Sequence, residues 1–186
     1  GGATVRELDL DEIRVVPGVA EPDPVRAIEV LPGVVSTSDF SAAFHVRGGS
    51  QDQNLILLDG VPIFSPFHLG GLFSVFNADM IDRVELLSGG FAAEHGGRVS
   101  SVLEIESDAG TGEFSGDAAI SLLSSRVAVG GRLPDAVARS LGYANIRYRL
   151  SARRSYFDVL FKPAFEFPYH LTDLQTVVEG WTPSGD

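Results

Sequence analysis

The chain contains no cysteine. That excludes a disulfide scaffold and cysteine-based metal sites, and says little about compartment. No run approaches the ~18 apolar residues of a membrane helix, so any membrane it meets must be met with β-strands. There is no signal peptide and no initial Met; the start at Gly1-Gly2 reads as a processed or excised end. His45, His68, His95 and His170 are scattered, without the spacing of a helical zinc site. No nucleophile elbow, P-loop or dinucleotide fingerprint is present. Asp9, Asp11 and Glu12 could suggest calcium, but no glycine-turned loop follows them, and surface carboxylates are the simpler account. No metal and no cofactor is expected, and no catalysis. An enzyme would need an unrecognised carboxylate pair.

What is present is glycine and charge asymmetry. The 21 glycines and 10 prolines suit many short strands joined by tight turns, and 44% apolar content is enough for a real core. Of the net charge of −11, all lies in the first part: residues 1–112 carry six Lys and Arg against seventeen Asp and Glu, and residues 113–186 carry eight of each. Such acidity excludes nucleic acid as a partner, because phosphate neutralisation needs clustered Lys and Arg. Plain solubility would also account for it. The seam near Gly110-Thr111-Gly112 divides the chain into domains at 1–112 and 113–186.

Residues 1–22 alternate loosely and predict an irregular extended segment. Asp23-Pro24 is an N-cap followed by Pro at the first helical position. Val25, Ile28 and Leu31 then recur at helical spacing until Pro32-Gly33 stops the run. From Phe44 the period becomes two. Phe44–Arg47 reads as a strand closed by Gly48-Gly49. Asn54–Leu58 reads as a strand buried on both faces, with a turn at Asp59-Gly60. Leu72–Phe76 is expected as a short apolar helix or turn, Asn77 as a cap, Arg83–Leu87 as a strand, and Arg98–Ser107 as another. Beyond the seam, Phe114–Leu122 and Ala144–Arg153 alternate apolar and polar residues over about the ~10 positions of a tilted membrane strand. A weaker strand begins at Val127, and Pro134-Asp135 opens a longer connection. Alternation alone favours a half-buried soluble sheet, which is the commoner structure, and only the motifs that precede it reverse that preference.

The segments EPDPVRAIEVLPGV (from Glu21), FHVRGGS (from Phe44), LLDGVPI (from Leu57), IDRVELLSGG (from Ile81) and EHGGRVSSVLEI (from Glu94) occur in one order along the chain. Singly each is unspecific. Together they resemble the plug domain of TonB-dependent outer-membrane receptors, and residues 113–162, including SARRSYFDVLF, resemble the first strands of the barrel that follows it. The resemblance implies an α+β fold: a small mixed-sheet plug domain with short helices, then a few antiparallel strands of an incomplete transmembrane β-barrel. Complete barrels of this kind have roughly 22 strands. The chain would then be a piece of a transporter. It implies import of a scarce nutrient (ferric siderophore, cobalamin or glycan) into a bacterial cell through its outer membrane. It implies as partners TonB, through a segment at or before the N-terminus, an extracellular ligand, and outer-membrane lipid.

The same resemblance places ligand contacts just past the Arg-Gly strand, at Ser50, Gln51, Asp52 and Gln53, and past the Asp-Gly turn, at Phe64, Phe67 and His68. It places plug–barrel contacts at Arg47, Glu85 and Arg98. An ordinary polar loop with core phenylalanines, and solvated strand residues, are the bland accounts of the same positions. One departure is visible: the family often has Lys or Arg before the glycine of the Val-Glu motif, and here that residue is Ser88. The alternative reading of the whole chain is a soluble β-rich binding or adhesion module. With so few barrel strands and no closure, residues 113–186 are expected to be poorly packed or to fold back.

Overall fold

The computed structural model describes residues 4–9, 23–28, 31, 34–38, 41–46, 54–68, 73–88, 101–160, 162 and 170–183. It forms two compact units, Gly1–Ser107 and Asp108–Asp186.

The first unit is built on a five-stranded mixed sheet. Its strands are β1 (Thr4–Asp9), β4 (Asn54–Leu58), β5 (Val61–Pro62), β8 (Ile81–Ser88) and β9 (Ser101–Ser107), in the order β1-β8-β9-β4-β5. β4 and β9 are parallel and the other pairs antiparallel. Two hairpins accompany it: β2 (Val34–Ser38) with β3 (Ser41–Val46), and β6 (Phe67–His68) with β7 (Phe73–Ser74). The sheet's inner face presents Leu8, Ile56, Val84, Leu86, Leu103 and Ile105. The helix α1 (Pro24–Ala27), followed by Ile28, covers it together with a 3-10 turn at Ala78–Met80. Val25, Ala27, Ile28, Val84, Leu103 and Ile105 are all 0% exposed. Full burial of such an aliphatic side chain contributes roughly 1.5–3 kcal/mol, so this layer is what holds the unit together.

Several elements follow directly from local signals. Asp23 caps α1 with its side chain and Pro24 starts it, as the sequence predicts. Asn77 caps the 3-10 turn by accepting from the Asp79 amide at 3.1 Å. Ile56 and Leu57, on opposite faces of β4, are each 5% exposed, so that strand is buried on both sides. Two expectations fail. Residues 4–9 are a regular strand, because β8 offers them a complete antiparallel partner. Phe73-Ser74 is a strand rather than a helical turn, because the backbone amides there are claimed by other elements: Val75 N–H by the Pro66 carbonyl at 2.8 Å, Ser74 N–H by the Asp23 carboxylate at 2.8 Å.

The second unit is one antiparallel sheet of four strands in sequence order: β10 (Ser115–Ile120), β11 (Ser124–Arg132), β12 (Asn145–Ser155) and β13 (Thr172–Trp181). The connection after Pro134 contains the helix α2 (Asp135–Ser140). Its end is a Schellman motif: Gly142 takes φ +88°, its N–H bonds the Arg139 carbonyl at 3.1 Å, and Tyr143 N–H bonds the Ala138 carbonyl at 3.0 Å. A short helix α3 (Phe157–Leu160) follows β12. The strand β13 has no counterpart among the sequence-predicted strands. The strand pairing runs without a register shift from β10 to β13.

Candidate functional site

The candidate ligand segment starts at the β4–β5 turn. Asp59 and Gly60 have φ of 49° and 77°, the pair of positive values that a two-residue type I′ hairpin requires. Asp59 is also tied to the sheet. Its carboxylate accepts from Ser107 N–H at 2.8 Å and from the Ser107 hydroxyl at 2.7 Å, and its own N–H donates to the Ile105 carbonyl at 2.9 Å. Ile63 N–H bonds the Ile56 carbonyl at 2.9 Å. From this fixed base the chain leaves the sheet. Phe64 is 85% exposed, and Ser65 beside it is exposed. An aromatic ring left in solvent beside a rigid turn is available to stack on a ligand. Phe67 and His68 lie in β6, directly across from Ser74 and Phe73 of β7. Ser50, Gln51, Asp52, Gln53, Arg47 and Arg98 lie outside the described residues.

Glu85 lies on the outer face of the five-stranded sheet, in register with Glu7 of β1 on one side and Glu104 of β9 on the other. Three carboxylates directly opposite one another repel, and the sheet needs a compensating cation. That cation is Arg83, two residues earlier on the same face. Its Nη2 is 2.9 Å from Glu106 Oε1, its Nε 3.6 Å from Glu85 Oε1, and its Nη1 4.0 Å from Glu7 Oε1. The hydrogen bond and charge of Glu106, with Glu85 and Glu7 behind them, push the Arg83 pKa further up. The sequence offered a signal for Arg83 in the i, i+2 spacing of Arg83 and Glu85. Its other partners come from distant strands. Ser88 lies on the opposite, inner face, 7% exposed, between Thr4 and Ser101 in register.

The four-stranded sheet has two unlike faces. One carries Ala118, Ile120, Val127, Val129, Leu150, Ala152, Leu174 and Val178, with Thr176 among them and Ser125, Arg154 and Thr172 at its edge. It is the exposed one: Ile120 is 85%, Leu174 79%, Val178 61% and Leu150 42% accessible. A groove of about 330 Å³ runs over it between Val127, Val129, Leu150 and Leu174. The other face carries Arg126, Arg132, Arg147, Arg149, Ser151, Arg153, Asp173, Gln175 and Glu179, and includes the more buried positions, with Ser151 at 5% and Arg153 at 3%. Two arginine pairs stand directly opposite, Arg126 with Arg153 and Arg132 with Arg147. They are tolerated because Arg153 is hydrogen-bonded to Asp173, with Nε at 3.1 Å from Oδ2. Arg147 donates to the Gly110 carbonyl at 3.0 Å and lies 4.3 Å from the centroid of the Trp181 ring. The more exposed face is the more apolar one, the reverse of a half-buried soluble sheet.

No helix among the described residues is long and apolar enough to cross a membrane, which leaves crossing by strands open. Among the described residues no group of His, Cys, Asp or Glu is arranged to hold a metal ion.

Comparison with known proteins agrees with this geometry. No curated protein matches the chain. Among solved structures, it is similar to the alcaligin outer-membrane receptor FauA from Bordetella pertussis, with a TM-score of 0.54 and 19% identity. The match covers 83% of this chain and 26% of that one. At that identity the likeness establishes the fold, a mixed-sheet plug and an antiparallel sheet of barrel type, and the chain spans about a quarter of the receptor it matches. The family model of the TonB-dependent receptor plug domain matches residues 11–101. Residues 11–101 are therefore a TonB-dependent receptor plug domain.

Proposed function

We propose that this chain gates an outer-membrane importer: residues 1–112 are the stopper, and residues 113–186 are the opening strands of the barrel wall. The observation that carries this reading is the exposed apolar face of β10–β13. A row of valines, leucines and isoleucines turned outward is a liability in water and the required surface in a bilayer. The alternative of a soluble β-rich module needs the apolar face turned inward. Within this reading the membrane contact is lipid on that face. The nutrient, a ferric siderophore, cobalamin or glycan, is held from outside by Ser50–Gln53 together with Phe64, Phe67 and His68. Arg47, Glu85 and Arg98 meet the barrel, and TonB pulls on a segment at or before the N-terminus. The plug binds and moves and does no covalent chemistry.

The test is fractionation of the intact protein from its own cells, followed by electrophoresis with and without heating. The expected result is recovery with the outer membrane and migration that changes on heating, as for a closed barrel. Recovery in a soluble fraction would overturn the reading.

A further inference from the structure

We propose that the Asp23 carboxylate is a positioning group that fastens the far end of the Phe64–His68 segment. This rests on the reading above in which that segment meets the ligand. The two carboxylate oxygens serve different elements. Oδ1 accepts from the Val25 amide at 2.9 Å and the Arg26 amide at 3.3 Å, which starts α1. Oδ2 accepts from the Ser74 amide at 2.8 Å, across 51 residues of sequence. Asp23 is 7% exposed and Ser74 0%, so water does not compete for this bond.

The segment between β5 and β7 has little packing of its own at its start, since Phe64 and Ser65 are exposed. Among the described residues, its backbone is bonded at its two ends. One end is pinned to the sheet by Ile63 N–H on the Ile56 carbonyl. The other is pinned to α1 by Asp23, next to the Val75–Pro66 bond that closes the β6–β7 hairpin. The helix is a firm anchor, because Val25, Ala27 and Ile28 are fully buried in the core.

The chemistry gives a selective variant. Asparagine caps helices about as well as aspartate, so Asp23→Asn keeps an oxygen for the Val25 and Arg26 amides. Its amide NH2 then faces the Ser74 N–H, donor against donor. Asp23→Ser also caps but is too short to reach Ser74.

Amide hydrogen exchange of this chain, read by mass spectrometry without any ligand, tests the proposal. In both variants Ser74 and Val75 are expected to exchange at least ~10-fold faster, while Ala27 and Ile28 keep their wild-type rates within about twofold. Unchanged exchange at Ser74 and Val75 would overturn the proposal. So would an equal acceleration at Ala27 and Ile28, which would make Asp23 a general stability residue. Since no ligand enters the measurement, its outcome is independent of whether Phe64, Phe67 and His68 contact one.

Discussion

Arg83 and Glu106 face each other across β8 and β9 with 2.9 Å between Nη2 and Oε1, and this pair neutralises an otherwise acidic sheet face. Glu7, Glu85 and Glu104 form an unbroken carboxylate row beside it. Arg83→Gln is expected to lower the unfolding midpoint of this chain modestly, because the side chain is 38% exposed and partly screened. In ~1 M salt, where the screening length falls to about 3 Å, most of the difference should vanish. The pH dependence has a definite sign. The Arg83 pKa is raised above the ordinary arginine value, so its contribution is complete below that ordinary value and is lost only as pH climbs through the folded one. Arg83's own titration therefore adds no slope between neutral pH and pH ~10. Urea titrations of both proteins at two salt concentrations check this; a difference that grows with salt would contradict it.

The Arg153–Asp173 pair should behave differently, because Arg153 is 3% exposed. Removing one partner of a buried pair leaves a charge without compensation, at a cost of about 3 kcal/mol. Asp173→Asn and Arg153→Met are each expected to destabilise the detergent-folded protein by about that amount, and the double variant by less than either. Additive single effects in the double-mutant cycle would show that the pair is not coupled.

Leu150 sits mid-strand on the apolar face. Leu150→Arg is expected to cost about 2–4 kcal/mol of folding into a bilayer if that face meets the hydrocarbon core. Gln175→Glu, on the polar face, should be near neutral by comparison. Yield of folded protein in the outer membrane, measured for the two variants side by side, decides the point.

Local chemistry made part of this fold legible. The Asp23-Pro24 helix start, the Asp59-Gly60 hairpin and the two-faced strand around Leu150 are each written within a few residues, and the structure has all of them. What was not legible depends on partners far along the chain. β1 is regular only because β8 lies beside it, and β4 pairs in parallel with β9 across an intervening stretch of 42 residues from Asp59 to Ser100. β7 is extended in part because Asp23 takes its amide. β13 escaped because its polar side carries Val177 and Trp181, which blurs the alternation of TDLQTVVEGW. At the site, the exposure of Phe64 fits its place between a tight turn and Pro66, while the convergence of Glu7, Arg83, Glu85 and Glu106 is set by strand register, which sequence spacing does not encode.

The central claim is that the apolar side of β10–β13 faces lipid and the polar side does not. Single labels can be placed at Leu174→Cys and Gln175→Cys, adjacent residues on opposite faces of β13, in a background where any cysteine elsewhere in the intact protein is replaced by serine. In the intact receptor reconstituted in a bilayer, a nitroxide at residue 174 should be relaxed strongly by oxygen and weakly by a water-soluble nickel complex. One at residue 175 should lack the oxygen effect. Equal oxygen access at both positions, or the reverse pattern, would contradict the account.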